Sequence, residues 1–229
     1  MALHPWTVSP DEAIAIQQQL RCRLILRWDG RPIETVGGVD VSIAVQEARA
    51  AIAVLGLADL SPIEGVVASA PLTFPYVPGL LAFREGPAIL AAWARLRHKP
   101  DLLLFDGQGI AHPRGLGIAS HMGLWLARPA IGVAKSRLYG QFKPPGPQAG
   151  DSSELRDPRT GEIIGIVLRT RARGAPLFIS PGHLIDLPTA VAFVKRCMRG
   201  HRLPEPTHWA HKLAAGQSLF AAGDQPSLF

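Results

Sequence analysis

The sequence predicts a mixed α/β fold in which an antiparallel meander is followed by β-α-β units in one mixed β-sheet, with helices on both faces. Three observations predict it. Strand-like stretches at 35–44, 51–57 and 65–72 follow one another at short spacing, with few helix signals between them. The run from Asp101 to Phe105 is continuously apolar after its first residue, the pattern of a strand buried on both faces. Beyond it, strand and helix signals alternate, which places helices against a partly parallel sheet.

Each element has its own signal. Ser9 followed by Pro10, Asp11 and Glu12 is a helix start, with a cap, a first-turn proline and a capping-box glutamate, and the helix should run to about Arg23. The stretch 73–81 is rich in proline and aromatics and cannot be one continuous element. A helix is expected from about 84 to 97, with Ile89, Leu90, Trp93 and Leu96 on one face. Further along, 120–127 reads as a helix and 130–134 as a buried strand. The segment 143–160, full of Pro, Gly and charges, reads as a long surface loop. Strands at 163–169 and 176–180 and a helix at 187–199 complete the pattern, without internal repeat. A single domain is expected over 1–213, with a C-terminal tail over 214–229.

Composition limits the function classes. With 229 residues, 47% hydrophobic and 18% charged, the chain can bury one sizeable core and is not disordered. No apolar run reaches the roughly 18 residues that span a bilayer. Met1 to Pro10 also lacks the blocks of a signal peptide, so a cytoplasmic protein with no membrane contact is expected. Nothing suggests a coiled coil or repeat, and a monomer is expected. Cys22 and Cys197 form no C-x-x-C pattern and read as reduced, buried thiols. The net charge of +6 is uneven: residues 1–110 carry nine Lys/Arg against eleven Asp/Glu, and residues 111–229 carry fifteen against seven. A basic half beside an acidic one suits a polyanion on one side and cations held by carboxylates on the other, although charge alone leaves nucleic acid undecided.

The acids are the first chemical signal. Asp40 lies inside the apolar Gly37-Gly38-Val39-Asp40-Val41-Ser42-Ile43, and Asp106 ends Leu102-Leu103-Leu104-Phe105. Burying a carboxylate beside such strands costs several kcal/mol unless a cation or several donors compensate. Carboxylates converging from different elements are what a hard cation such as Mg²⁺ requires. One strand Asp alone is as readily a turn or cap residue. Glu85, in Phe83-Arg84-Glu85-Gly86-Pro87, could simply complement a helix dipole. Their order decides: Asp on the first strand, Glu on the helix after three strands, Asp on the next strand. That order resembles the ribonuclease H-like nucleases, which implies a ribonuclease H-like mixed sheet gathering the three acids at one edge.

Longer motifs narrow the resemblance. Pro75-Tyr76-Val77-Pro78-Gly79-Leu80-Leu81-Ala82-Phe83-Arg84-Glu85 and Asp106-Gly107-Gln108-Gly109-Ile110-Ala111-His112-Pro113-Arg114-Gly115-Leu116-Gly117 closely resemble two blocks of the endonuclease V family. Gly132-Val133-Ala134-Lys135-Ser136-Arg137-Leu138 and Ser180-Pro181-Gly182-His183 are similar to two more, so the resemblance runs from the Asp40 strand to about Leu213. It implies a Mg²⁺-dependent repair endonuclease, with Mn²⁺ able to substitute, acting on inosine-containing nucleic acid. The bond cut would be the second phosphodiester 3′ to the lesion, leaving 3′-hydroxyl and 5′-phosphate; the base reading leaves DNA and RNA open. Asp40, Glu85 and Asp106 would hold the metal, with His211 near them. Lys135 would stabilise charge at the scissile phosphate, where otherwise a strand-end lysine would lie in solvent. Tyr76 would be the wedge that replaces an extruded base, or else one more aromatic anchoring a Pro-rich loop. Gly79, Leu81, Gly107 and Gly117 would line the hypoxanthine pocket and Leu138 would close it. His112 would support the site or contact nucleic acid, or be a loop histidine without a role.

The final pentapeptide Gln225-Pro226-Ser227-Leu228-Phe229 resembles the motif by which bacterial repair proteins dock on the sliding clamp. Gln225, Leu228 and Phe229 would make that contact, though Pro226 replaces the usual leucine and the apolar end could pack back on the body. Two other functions stay open at this point: the nuclease domain of bacterial excision repair, and a non-catalytic inosine-binding protein.

Overall fold

The apolar runs sort into one eight-stranded sheet in the computed structural model, which describes residues 2–219. In chain order the elements are α1 (Pro10–Arg21), β1 (Thr35–Ala44), β2 (Glu47–Gly56), β3 (Pro62–Pro71), α2 (Leu81–Arg95), β4 (Leu102–Phe105), α3 (Ile118–Leu126), β5 (Ala130–Ala134), β6 (Ser152–Arg156), β7 (Ile163–Leu168), β8 (Leu177–His183), α4 (Leu187–Arg196) and α5 (Glu205–Ala214). The sheet order is β3-β2-β1-β4-β5-β8-β7-β6. The first three strands form the expected antiparallel meander. β1, β4 and β5 run parallel at the centre, and β8, β7 and β6 return antiparallel.

Period-2 alternation divides the core. Leu102 and Leu104 of β4 face one layer with Ala190 and Val194 of α4 and Ala210 and Leu213 of α5. Leu103 and Phe105 face the other, with Ala88 and Ile89 of α2 and Met122 of α3. All four β4 side chains are at most 1% exposed, each contributing about 1.5–3 kcal/mol by leaving water. Helices therefore cover both faces. α1 lies apart and packs Ala13 against Phe74, Leu80 and Phe83.

The capping box forms as expected, Ser9 N–H donating to Glu12 Oε2 and Glu12 N–H to Ser9 Oγ. The segment before it lies over α2 and α3. Trp6 packs where a Cβ on Gly86 would fall 2.4 Å from its ring. His4 Nδ1–H donates to Pro5 O, leaving His4 Nε2 to accept from His121 Nε2–H at 2.6 Å.

Four expectations need correction. The expected surface loop 143–160 contains β6, an edge strand paired along β7 that buries only Leu155. α2 starts at Leu81 rather than Arg84, so Glu85 sits in its second turn and Pro87 inside it. α5 has no counterpart among the expected elements. Cys22 is exposed, not buried, because it caps α1 beyond the buried stripe of Ala13, Gln17 and Leu20; Cys197 is buried as expected. Leu219, within the expected tail, is buried near Gly65 and Leu213. Gln225, Leu228 and Phe229 lie outside the described residues.

Candidate active site

At one edge of the sheet the parallel strands β1, β4 and β5 each bring a charged residue, from within β1 and from just beyond the ends of β4 and β5. Val39 of β1 pairs with Phe105 of β4, so Asp40 and Asp106 follow in step, tied by Asp106 N–H donating to Val39 O at 3.0 Å. Lys135 follows the last residue of β5, and its ammonium contacts Asp106 Oδ2. α5 crosses β1 at Gly38, where a Cβ would lie 1.9 Å from Pro206 O. That close approach lets His211 Nδ1 reach Asp40 Oδ2 at 2.7 Å. Glu85 enters from α2 and is only 9% exposed.

This packing perturbs the acids. Burial pushes the Glu85 carboxyl up to about 8, and the nearby charges of Asp40 and Asp106 add to the effect against the opposing Arg84. Asp106 is also raised, first by burial; Lys135 and His211 oppose this while Asp40 reinforces it. No three His, Cys, Asp or Glu side chains among the described residues form a ready-made metal-holding group. The donor chemistry nonetheless fits a hard divalent cation: the groups are carboxylate oxygens, and their burial and mutual repulsion are what a cation relieves.

A cleft of about 350 Å³ opens against this edge, with Asp106 and Lys135 in its wall. Tyr76, Gly79, Leu81, Gly107, His112, Gly117 and Leu138 all line it. Tyr76 and Leu138 are 73% and 43% exposed, large apolar groups held in water. The glycines serve the fold itself as well as any approaching base. A Cβ on Gly107 would lie 2.5 Å from Ile118 Cγ2, and one on Gly117 would lie 2.3 Å from Gln108 O. Gly79 has φ +82°, which favours glycine outright.

His112 is a buried strut between two loops. Its Nε2–H donates to Gly79 O at 2.9 Å, while its Nδ1 accepts from Arg114 N–H at 3.1 Å. Burial drives it down to about 4, so the ring is neutral. Sequence reasoning missed Gln17, Gln108 and Ser136 in the cleft wall. Gln17 carried a usable signal, since it is the polar member of the α1 stripe Ala13, Gln17, Leu20.

The family model of endonuclease V matches residues 17–212. The chain belongs to the endonuclease V family. It is 48% identical over 213 residues to endonuclease V of Methanothrix thermoacetophila, an alignment covering 93% of this chain and 94% of the relative. The solved endonuclease V of Streptomyces avermitilis superposes with a TM-score of 0.85 at 39% identity, covering 92% of this chain and 93% of that one. Endonuclease V of Ciona intestinalis, solved in complex with a 24mer DNA containing an inosine followed by a ribo-adenosine, superposes with a TM-score of 0.76 at 27% identity, covering 90% and 95%. Membership in the endonuclease V family makes the chain a nuclease, and so a hydrolase. Its ribonuclease H-like α/β fold, expected from the order of the acids, is that of the solved members. No helix among the described residues is long and apolar enough to cross a membrane.

Proposed function

We propose that the chain is a Mg²⁺-dependent repair endonuclease that recognises deoxyinosine in DNA and hydrolyses the second phosphodiester bond 3′ to it, leaving 3′-hydroxyl and 5′-phosphate. The observation that carries this reading is that Asp106 and Lys135 belong to both halves of the site, standing at the acid edge and lining the cleft. A base held in the cleft then leaves its backbone beside the acids. The inosine-containing DNA bound by the Ciona relative supports the same substrate.

Asp40, Glu85 and Asp106 are the residues that would hold Mg²⁺ or Mn²⁺, with His211 beside them. When bound, the cation supplies Lewis acidity to the phosphate and lowers the pKa of a water. His211 orients Asp40 through its Nδ1 hydrogen bond. Lys135 keeps positive charge where the phosphate becomes more negative. Tyr76 offers a ring to replace the stacking lost when the base leaves the duplex. Those main-chain groups of the wall at Gly79, Leu81, Gly107 and Gly117 that the fold does not already bond would read the O6 acceptor and N1 donor of hypoxanthine; the Gly79 carbonyl is not among them. Adenine presents the reverse pattern and leaves buried groups unpaired.

The test is a nicking assay on duplexes that differ only in inosine or adenine, with and without Mg²⁺. Wild type nicks the inosine duplex at the second 3′ bond when Mg²⁺ is present, and Asp106→Ala does not. Nicking that needs neither inosine nor metal overturns the reading. Ribo-substrates in the same assay decide between DNA and RNA. The terminal Gln225, Leu228 and Phe229 are proposed to tether the enzyme weakly to the sliding clamp. Deleting 225–229 should abolish that binding, and identical titrations of full-length and truncated protein refute it.

A further inference from the structure

We propose that Gln17 of α1 is a positioning residue that sets the spacing between the two walls of the base cleft. The idea rests on the reading of that cleft as the base site. Gln17 is distant in sequence from every motif above and is 1% exposed. Its amide is fully engaged: Nε2 donates to Gly79 O at 2.9 Å and to Leu116 O at 3.2 Å, and Oε1 accepts from Arg114 Nε at 2.5 Å. Gly79 lines the cleft beside Tyr76, whereas Arg114 and Leu116 belong to the loop between β4 and α3, which lines it through Gly107, His112 and Gly117. One planar amide therefore bridges both walls.

The bridge is reinforced at Gly79. Its carbonyl also accepts from His112 Nε2 and Arg114 Nη2, each at 2.9 Å. Three donors on one oxygen commit it to the fold. A Cβ on Gly79 would meet Arg114 Nη2 at 2.7 Å, so this clasp also depends on glycine there. Packing of α1 by itself does not call for an amide. Leucine would complete the stripe of Ala13 and Leu20, and a buried amide costs stability unless its bonds are made. All three of these bonds go to the two segments that carry the cleft walls, one to Gly79 and two to the loop of His112 and Gly117.

Two variants test the role. Gln17→Leu keeps the volume and removes the bonds, and Gln17→Asn keeps the chemistry one methylene shorter. Nicking is measured across a range of inosine-duplex concentrations with Mg²⁺, below the melting temperature of each protein, beside an adenine duplex. In both variants KM for the inosine duplex rises about ten-fold, more than kcat falls, because a small displacement of binding groups costs one to two orders of magnitude. The preference for inosine over adenine narrows, while the Mg²⁺ concentration for half activation stays put. An unchanged KM and preference in folded Gln17→Asn or Gln17→Leu overturns the role of Gln17. Lack of inosine preference in the wild type instead overturns the reading of the cleft.

Discussion

Along the acid edge, Glu85 is buried and Asp106 half-buried beside Asp40, and both carboxyls are held above their ordinary range. In the adjoining cleft, Gln17, His112, Arg114 and Gly79 are also buried or half-buried, yet each is hydrogen-bonded to another. The two regions share Asp106 and Lys135 and handle polarity in opposite ways. Like charges crowded at one edge cost stability that a bound cation can restore. The Gln17–Gly79–His112–Arg114 cluster is bonded before any ligand arrives, which fixes the shape of the cleft beside it. On the proposed function, metal loading and base recognition would be separable, one built on crowded carboxyls that Lys135 and His211 only partly offset and the other on a hydrogen-bonded cluster.

The most severe way to break this contrast is Asp106→Ala. Single-turnover nicking at saturating Mg²⁺ should fall about 10³-fold or more. Thermal melting should change little, because Glu85 loses a repelling neighbour while Lys135 loses its ion pair. A large fall in melting temperature would show that the edge is not repulsive.

A pH series on chelator-treated protein sharpens the comparison, since the buried groups pull in opposite directions. Glu85 has an ordinary value of 4.5 and is pushed up to about 8 in the fold. Its contribution is fully present below the ordinary value and is lost as pH rises through about 8, because the unfolded chain gives up the proton first. His121 is driven from 6.5 down to about 3, mainly by burial, and His112 and His183 down to about 4. Below 6.5 the unfolded chain takes up protons that the fold refuses, so stability also falls on acidification toward 4. Urea unfolding should therefore show two limbs, each amounting to a few kcal/mol, and Glu85→Gln should remove only the alkaline one. Persistence of that limb in Glu85→Gln would locate the repulsion elsewhere.

The smallest effect belongs to Tyr76→Ala. Its side chain is mostly in water, so unfolding should be unaffected. KM for the inosine duplex should rise about ten-fold, the value of one lost stacking contact, and Tyr76→Phe should restore it. Equal KM values for Ala and Phe would remove the wedge role.

The acids were legible because Asp40 and Asp106 break apolar strands, whereas Lys135, Tyr76 and the cleft glycines were legible only through the motifs shared with endonuclease V. The strands were legible through continuous or alternating apolar runs. β6 was not, because an edge strand burying only Leu155 shows no alternation and is held by main-chain pairing to β7. The start of α2 was obscured by Pro78 before it, Pro87 inside it and an N-cap, Leu80, without a capping side chain. α5 was hidden by Pro204 and Pro206 and by a polar face carrying His208, His211 and Lys212. Gln17 was readable in principle, but one glutamine in a stripe of two apolar neighbours gains meaning only when its partners are known.

The docking of α5 over Gly38 has a consequence for how the chain is made. Asp40 and His211 are 171 positions apart, and the helix that joins them follows all three acids in chain order. On the ribosome all three acids emerge well before that partner. A chain cut short ahead of α5 would carry the acids without the histidine, and would lack the Ala210 and Leu213 packing that closes one face. Loss of α5 would thus take away a partner of Asp40 and part of the core in a single step.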